Sequence, residues 1–215
     1  MKNNKKMIFV IGLAAILILV TVGTVAWLTK TSSITNTFVI GDFNVPSTSP
    51  INPEETIKID GNIYEPSFNQ EEEHMIMPGV SFDKDPYVGI GKGSEDAAVY
   101  VYVENNFSNK VNFSINSGWE AVIATEGSIS DTYTSGLFKY TAGLQSSSDS
   151  DVWTTTPLFS TLNVADDAME VDFTLDEGEN PEVKVSAFLH QVSADGELIS
   201  EDVIENAAKE AFGIN

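Results

Sequence analysis

The sequence predicts an all-β protein: a jelly-roll-like β-sandwich that ends in a short C-terminal helix. About ten short strand-like segments are separated by polar connections rich in Gly and Ser, as in sandwiches. Helical periodicity is confined to the C-terminal end. Hydrophobic residues make up 42% of the 215 residues, enough to form a real core. No internal repeat or long linker is visible, so residues 46–215 are expected to form one domain.

The strongest strand signal lies at residues 97–103, where valines on one face alternate with Tyr100 and Tyr102 on the other. Because both faces are apolar, this strand is expected in the middle of a sheet. Residues 182–192 predict a second long strand, with apolar residues at alternate positions. A turn at Asp195-Gly196 should follow it.

The remaining elements are shorter. Ser200 is expected to cap a helix over residues 201–212, with acids in its first turn. The Pro-rich residues 46–53 predict a loop that could separate an N-terminal arm from the domain. Residues 145–151 read as an exposed, mobile polar loop. Further strands are expected at residues 37–45, 111–115, 119–124, 137–141, 157–164 and 169–175, with a small hairpin over 57–64 turning at Asp60-Gly61.

Composition excludes several classes of function. The chain has 32 acidic residues against 11 basic ones, all of them Lys. Nucleic acid would be repelled, because binding phosphates requires Lys and Arg to displace counterions. An anionic membrane surface would be repelled too, which leaves divalent cations or cationic polymers as charged partners. Cysteine is absent, which excludes disulfides, thiolate metal sites and thiol catalysis.

Residues 1–26 have the three parts of a secretory signal peptide, which is expected to be helical. Three lysines precede an uncharged apolar run at residues 7–22. Thr24 and Ala26 are small enough for the −3 and −1 subsites of a signal peptidase, so the mature chain should begin at Trp27. The alternative is a retained anchor, because residues 7–28 are long enough to span a bilayer. Either way, the rest of the chain is expected to be secreted, at the cell surface or in an extracellular matrix.

No catalytic site is visible, so we expect the protein not to be an enzyme. His74 and His190 are far apart, and neither H-E-x-x-H nor G-x-S-x-G occurs. No metal centre or cofactor is expected. Calcium stays open at two pairs of closely spaced acids, Asp83 with Asp85 and Asp149 with Asp151, although neither matches an EF-hand loop.

The residues around the predicted cleavage site are the most specific signal. The run G-T-V-A at residues 23–26 is followed by W-L-T at 27–29 and N-T-F-V-I-G at 36–41. This pattern resembles the TasA/camelysin family. Weaker similarities continue as M-P-G, K-D-P-Y-V, the A-V-Y-V-Y-V strand, T-P-L-F and V-S-A-F-L-H-Q, at residues 77–79, 84–88, 98–103, 156–159 and 185–191.

The resemblance implies a jelly-roll subunit that is processed by a SipW-type signal peptidase and assembles into biofilm-matrix fibres. The freed segment, residues 27–45, would be donated to a neighbouring subunit's sheet. Its inserted anchors would be Leu28, Ile34, Phe38 and Ile40. Alternatively, the segment forms the domain's own first strand, or residues 38–45 belong to the domain and only 27–37 are donated.

The resemblance also leaves other functions open. Some camelysins are described as metalloproteases, so a surface protease is one alternative, and a membrane-anchored adhesive module is another. Tyr102 stands where the family often has Arg, and residues 46–73 have no counterpart that we can place. The expected partners are other copies of this chain, a SipW-type peptidase and other matrix or cell-wall components. Nucleic acid is not expected, and a membrane only through an uncleaved signal segment.

Overall fold

The structure is a computed structural model that describes residues 26–28, 37–59, 61–68, 74–106, 109–173 and 182–214. Most of the predicted signal peptide, with Thr24, and the anchor Ile34 lie outside these residues. Within the described part of the chain, no helix combines the length and the hydropathy needed to cross a membrane.

The described residues form fifteen strands, one 3-10 helix and one α-helix. The 3-10 helix spans Glu170–Phe173, and the α-helix, α1, spans Glu201–Ala211. The strands are β1 (Ala26–Leu28), β2 (Thr37–Ile40), β3 (Ile63–Tyr64), β4 (His74–Ile76), β5 (Ser81–Asp83), β6 (Tyr87–Ile90), β7 (Ala97–Asn105), β8 (Val111–Asn112), β9 (Trp119–Glu126), β10 (Tyr133–Leu144), β11 (Val152–Trp153), β12 (Thr161–Val164), β13 (Val183–Gln191), β14 (Ser193–Ala194) and β15 (Glu197–Leu198).

The main sheet has five strands in the order β2-β13-β7-β10-β9. Every neighbouring pair is antiparallel except β13 and β2, which run parallel. The predicted central position of the strand at residues 97–103 is confirmed, since β7 lies between β13 and β10. Its valines face the main core, and Tyr100 lies in a second cluster on the opposite face.

Two three-stranded sheets, β11-β6-β3 and β5-β12-β8, supply the other side of the main core. Phe113, directly after β8, is fully buried in this core, and its ring centroid lies 4.5 Å from that of Phe159 and 5.5 Å from that of Phe138. The predicted all-β sandwich is therefore confirmed.

The C-terminal helix is confirmed as well. It buries Ile204 and Ala208 against the outer face of the main sheet, where Tyr100, Leu137 and Phe188 complete the second apolar cluster. Ser200 has the extended backbone of an N-cap residue, but its side chain makes no capping hydrogen bond. Packing against the sheet, more than capping, therefore holds this helix.

One predicted hairpin and one predicted strand are wrong, and three strands are shorter than expected. The described residues of 57–64 do not form a hairpin, because β3 pairs with β6. Residues 169–175 were expected to be a strand, but Glu170–Phe173 form a 3-10 helix. Here the Asp172 amide donates to the Met169 carbonyl at 2.9 Å, and the Asp172 carboxylate accepts a 2.8 Å hydrogen bond from the Met169 amide. The strands expected over 37–45, 111–115 and 157–164 are shortened to β2, β8 and β12.

Candidate functional site

The feature that bears on function is the edge of the main sheet formed by β2. Among the described residues, this strand is the last in the sheet and pairs only with β13. Its register places Thr37 opposite Ala187 and Phe38 opposite Phe188, and it continues to Ile40 opposite His190. The predicted anchors Phe38 and Ile40 thus lie on one strand, at alternate positions on the face that carries α1.

The β2 edge is apolar and incompletely covered. Phe38, Val39 and Ile40 remain 41%, 49% and 45% exposed, and the strand contains no charge. Phe38 packs edge-on against Phe212 just beyond α1, with ring centroids 5.4 Å apart. Natural edge strands are usually protected by charges, Pro or bulges. In the part of the chain that the structure describes, this edge has no such protection, a condition that favours pairing with another chain.

The backbone turns at Gly41, immediately after β2. Gly41 has φ +131°, a backbone conformation that residues with a side chain rarely adopt. A Cβ at this position would lie 3.0 Å from both Gln191 and the Phe43 ring. The turn at Gly41 therefore separates an exposed strand from the segment that follows it.

Residues 42–48, which we call the arm root, are held tightly on the domain. Asn44 anchors the root through both backbone groups: its amide donates to Ser94 Oγ at 2.9 Å, and its carbonyl accepts from the Gly91 amide at 2.8 Å. Pro46 is buried, and the Trp153 indole donates to the Thr48 carbonyl at 3.0 Å. These hydrogen bonds tie the backbone of the root to the domain.

One carboxylate, that of Asp151, binds the end of the arm root. Asp151 accepts hydrogen bonds from the backbone amides of Ser47, Thr48 and Lys92 at 2.7, 2.8 and 3.0 Å, and from the hydroxyls of Ser47 and Thr48. Burial by itself would raise the pKa of Asp151, but these hydrogen bonds outweigh it and hold the pKa below its usual value. The polar loop predicted at residues 145–151 is therefore tied down at its last residue.

The predicted cleavage junction is also paired in the folded chain. Ala26, Trp27 and Leu28 form β1, which runs antiparallel to β4 and places Trp27 opposite Met75. The bond between Ala26 and Trp27 thus lies inside a strand. The anchor Leu28 ends that strand, opposite His74.

The described residues contain no group of three or more His, Asp or Glu side chains that could hold a metal ion. His190 is buried, with its Nδ1 2.6 Å from the Gln191 carbonyl and its ring packed near Phe188. Asp85 is buried and accepts two hydrogen bonds from Ser67, whereas Asp83 is exposed on β5. In each of the two residue pairs considered for calcium, one acid already accepts protein hydrogen bonds: Asp85 in the first pair and Asp151 in the second.

Sequence reasoning missed one cluster. Lys84 is only 1% exposed, and its Nζ lies 2.7 Å from Glu65 Oε1 and 2.8 Å from Oε2. The Phe68 ring covers the amine, with Nζ 4.2 Å from the ring centroid. The two partners are 19 positions apart, outside any regular element, so no periodicity signals their contact.

Comparison with known proteins gives no match: no family model, no curated protein and no solved structure is significantly similar to this chain.

Proposed function

We propose that this protein is an exported structural subunit of a cell surface or biofilm matrix, similar to the TasA/camelysin family. Copies assemble head to tail through the N-terminal arm, residues 27–40. The observation that supports this most strongly is the β2 edge. An uncharged, half-exposed apolar strand lies on an open sheet edge, and it is joined through Gly41 to a root that the domain holds firmly.

Strand exchange follows from this arrangement. The contacts that β2 makes with β13 in its own chain can be made equally well by the β2 of a neighbour, because the register and side chains are the same. A chain that gives its arm to one neighbour and accepts an arm from another forms a heterologous contact that does not close. Such contacts produce filaments.

The charge distribution favours donation to a second copy. Between Trp27 and Ile40 the only charged residue is Lys30, whereas all 32 acids and seven lysines follow Gly41. A cationic arm is therefore attracted to the acidic body of any copy, while two bodies repel each other. The balance between the attraction of the arm and the repulsion between bodies should depend on pH and salt.

Export and processing complete the proposal. A SipW-type peptidase cuts between Ala26 and Trp27, recognising Thr24 and Ala26, and the new amino terminus adds a second positive charge to the arm. N-terminal sequencing of the protein from its native source tests this step. A chain that begins at Trp27 supports release, whereas an intact Met1 terminus in membranes would indicate a retained anchor and an adhesive role.

Assembly itself is tested with residues 27–215 by electron microscopy and sedimentation velocity at rising concentration. We expect filaments from this form and monomers from the double variant Phe38→Ser, Ile40→Ser. The matched control is Leu198→Ser, which replaces a residue that is 85% exposed on the β14–β15 hairpin. Filaments from the double variant, or monomers from the unaltered chain under all conditions of acid and salt, would contradict the proposal.

A further inference from the structure

We propose that Lys84 and Glu65 become joined by an amide bond between their side chains, so that the mature protein carries one internal covalent crosslink. This inference does not depend on the proposed function. It rests on a buried amine and a buried carboxyl held in contact, in a chain that has no cysteine.

The two groups are almost completely shielded from water. The side chains of Lys84 and Glu65 are 1% and 3% exposed. Burying two opposite charges is costly even when they are paired, because each loses its hydration. Conversion to a neutral amide and a water molecule removes both charges from the interior, so the environment favours the crosslinked product.

The geometry suits the reaction. Lys84 Nζ lies 2.7 and 2.8 Å from the two carboxylate oxygens of Glu65, so the amine is held next to the carboxyl group. This contact removes most of the entropic cost of bringing the groups together, and a rotation of the Glu65 carboxyl plane would let Nζ approach Cδ from above that plane. The Phe68 ring covers the ammonium group and helps to exclude water from it.

A second buried carboxyl follows Lys84 directly in the chain. It belongs to Asp85 and accepts two 2.8 Å hydrogen bonds from Ser67. Burial raises the pKa of Asp85, and the nearby Glu65 charge adds to this rise, while the Ser67 hydrogen bonds oppose it. A carboxyl that holds its proton more readily can donate that proton in general acid catalysis.

The step balances without any oxidant or co-reactant. A proton passes from the Lys84 ammonium to the Glu65 carboxylate, leaving a neutral amine and a carboxylic acid. Nζ then attacks Cδ, the Nζ–Cδ bond forms, and one Cδ–O bond breaks. The leaving oxygen departs as water, taking one proton from the acid and one from Nζ, and Asp85 carries protons between these positions.

Intact-mass spectrometry of the purified, folded chain tests the proposal directly. We expect a mass lower than the sequence mass by one water molecule, and a branched peptide linking residues 65 and 84 after digestion. Lys84→Arg should restore the full mass, because a guanidinium keeps the ion pair but does not form the amide. Lys139→Arg, which alters the ion pair with Glu201, is the matched control and should keep the deficit.

Asp85→Asn should slow crosslink formation by about a hundredfold when it is followed during refolding, on the scale of general acid–base catalysis. The full sequence mass in the unaltered folded chain would overturn the proposal, whatever the variants do. A mass deficit that persists in Lys84→Arg would also overturn it, since the lost water would then come from another site.

Discussion

Phe38 and Phe212 meet edge to face, with ring centroids 5.4 Å apart and planes at 86°. This contact joins the N-terminal strand β2 to the residue that follows the C-terminal helix. Phe212 also stacks on Tyr102, 5.1 Å away in β7. The surroundings of Phe38 are thus built from the sheet and the helix terminus, so under the proposed exchange they would receive Phe38 of another copy in the same way.

Truncating Phe38 should weaken assembly more than folding. Because Phe38 is 41% exposed, Phe38→Ala should lower the free energy of unfolding of the monomer by only about 1 kcal/mol, on the scale of one aromatic pair. Filament formation should require a much higher concentration, since every junction loses the same contact. Urea unfolding and sedimentation measure the two effects. A larger loss of monomer stability, with unchanged assembly, would show that Phe38 acts only within its own chain.

Gly41→Ala should loosen β2 on its own domain. Its φ of +131° belongs to a region that only Gly adopts readily, so Ala should cost about 1–3 kcal/mol. The added Cβ would also press against Gln191 and Phe43. Hydrogen exchange at residues 37–40 should accelerate. Gly196→Ala is the matched control: its φ is also positive, but no atom lies near the added Cβ. If hydrogen exchange at residues 37–40 is no faster in Gly41→Ala than in Gly196→Ala or the unaltered chain, the role given to Gly41 is wrong.

Asp151→Asn should loosen the arm root in a pH-dependent way. The folded-state pKa of Asp151 is depressed, so its stabilisation is present above the unfolded value of about 3.9 and is lost as pH falls through the folded pKa. At neutral pH the variant should lose about 1 kcal/mol, after allowing for solvent screening at this partly exposed site.

Once the pH has fallen below the depressed folded-state pKa of Asp151, the Asp151→Asn variant and the unaltered chain should approach the same stability. Thermal unfolding across the acid range measures this convergence. Asp149→Asn is the control, because this exposed neighbour lies in the same loop and does not bind the root. A constant difference between the Asp151 variant and the unaltered chain at all pH values would contradict the hydrogen-bonding account.

Removing the hydroxyl of Tyr100 and removing that of Tyr140 should affect the stability of the protein differently. The Tyr100 hydroxyl is buried with no hydrogen-bond partner among the described residues, so Tyr100→Phe should leave stability unchanged or raise it. The Tyr140 hydroxyl lies 2.9 Å from Thr155 Oγ1 and accepts from the Thr155 amide at 3.1 Å. Tyr140→Phe should therefore cost about 1 kcal/mol or more. The reverse order in chemical unfolding would show that this assignment of partners is wrong.

Local pattern predicted the centre of the fold well. The position of β7 was predicted correctly because both of its faces are apolar. That of β13 was predicted correctly because apolar residues occupy alternate positions over a long segment. The hairpin expected over 57–64 failed because β3 pairs with β6, a distant strand. The strand expected over 169–175 failed where the Asp172 carboxylate accepts from the Met169 amide at the start of the 3-10 helix, and nothing in the alternation signals that bond.

The candidate site was only partly predictable for a similar reason. The N-terminal residues indicated a pairing strand, but neither its parallel direction along β13 nor its end at Gly41 follows from composition. Those features depend on where residues 42–48 find partners, and Asp151, which holds them, is more than a hundred positions away. The contact of Lys84 with Glu65 is likewise made by loops whose path is set by the assembled sheets.

Cysteine trapping tests the exchange of β2 between copies most directly, because the natural chain contains no cysteine. Thr37 and Ala187 are register partners on β2 and β13, and pairing brings their Cα atoms within disulfide range. Single variants Thr37→Cys and Ala187→Cys of the processed chain are mixed under assembly conditions and oxidised. We predict a covalent dimer containing one chain of each kind. If the mixture gives no such dimer, while the double variant closes the bond within one chain, β2 stays in its own domain and the proposed mode of assembly is wrong.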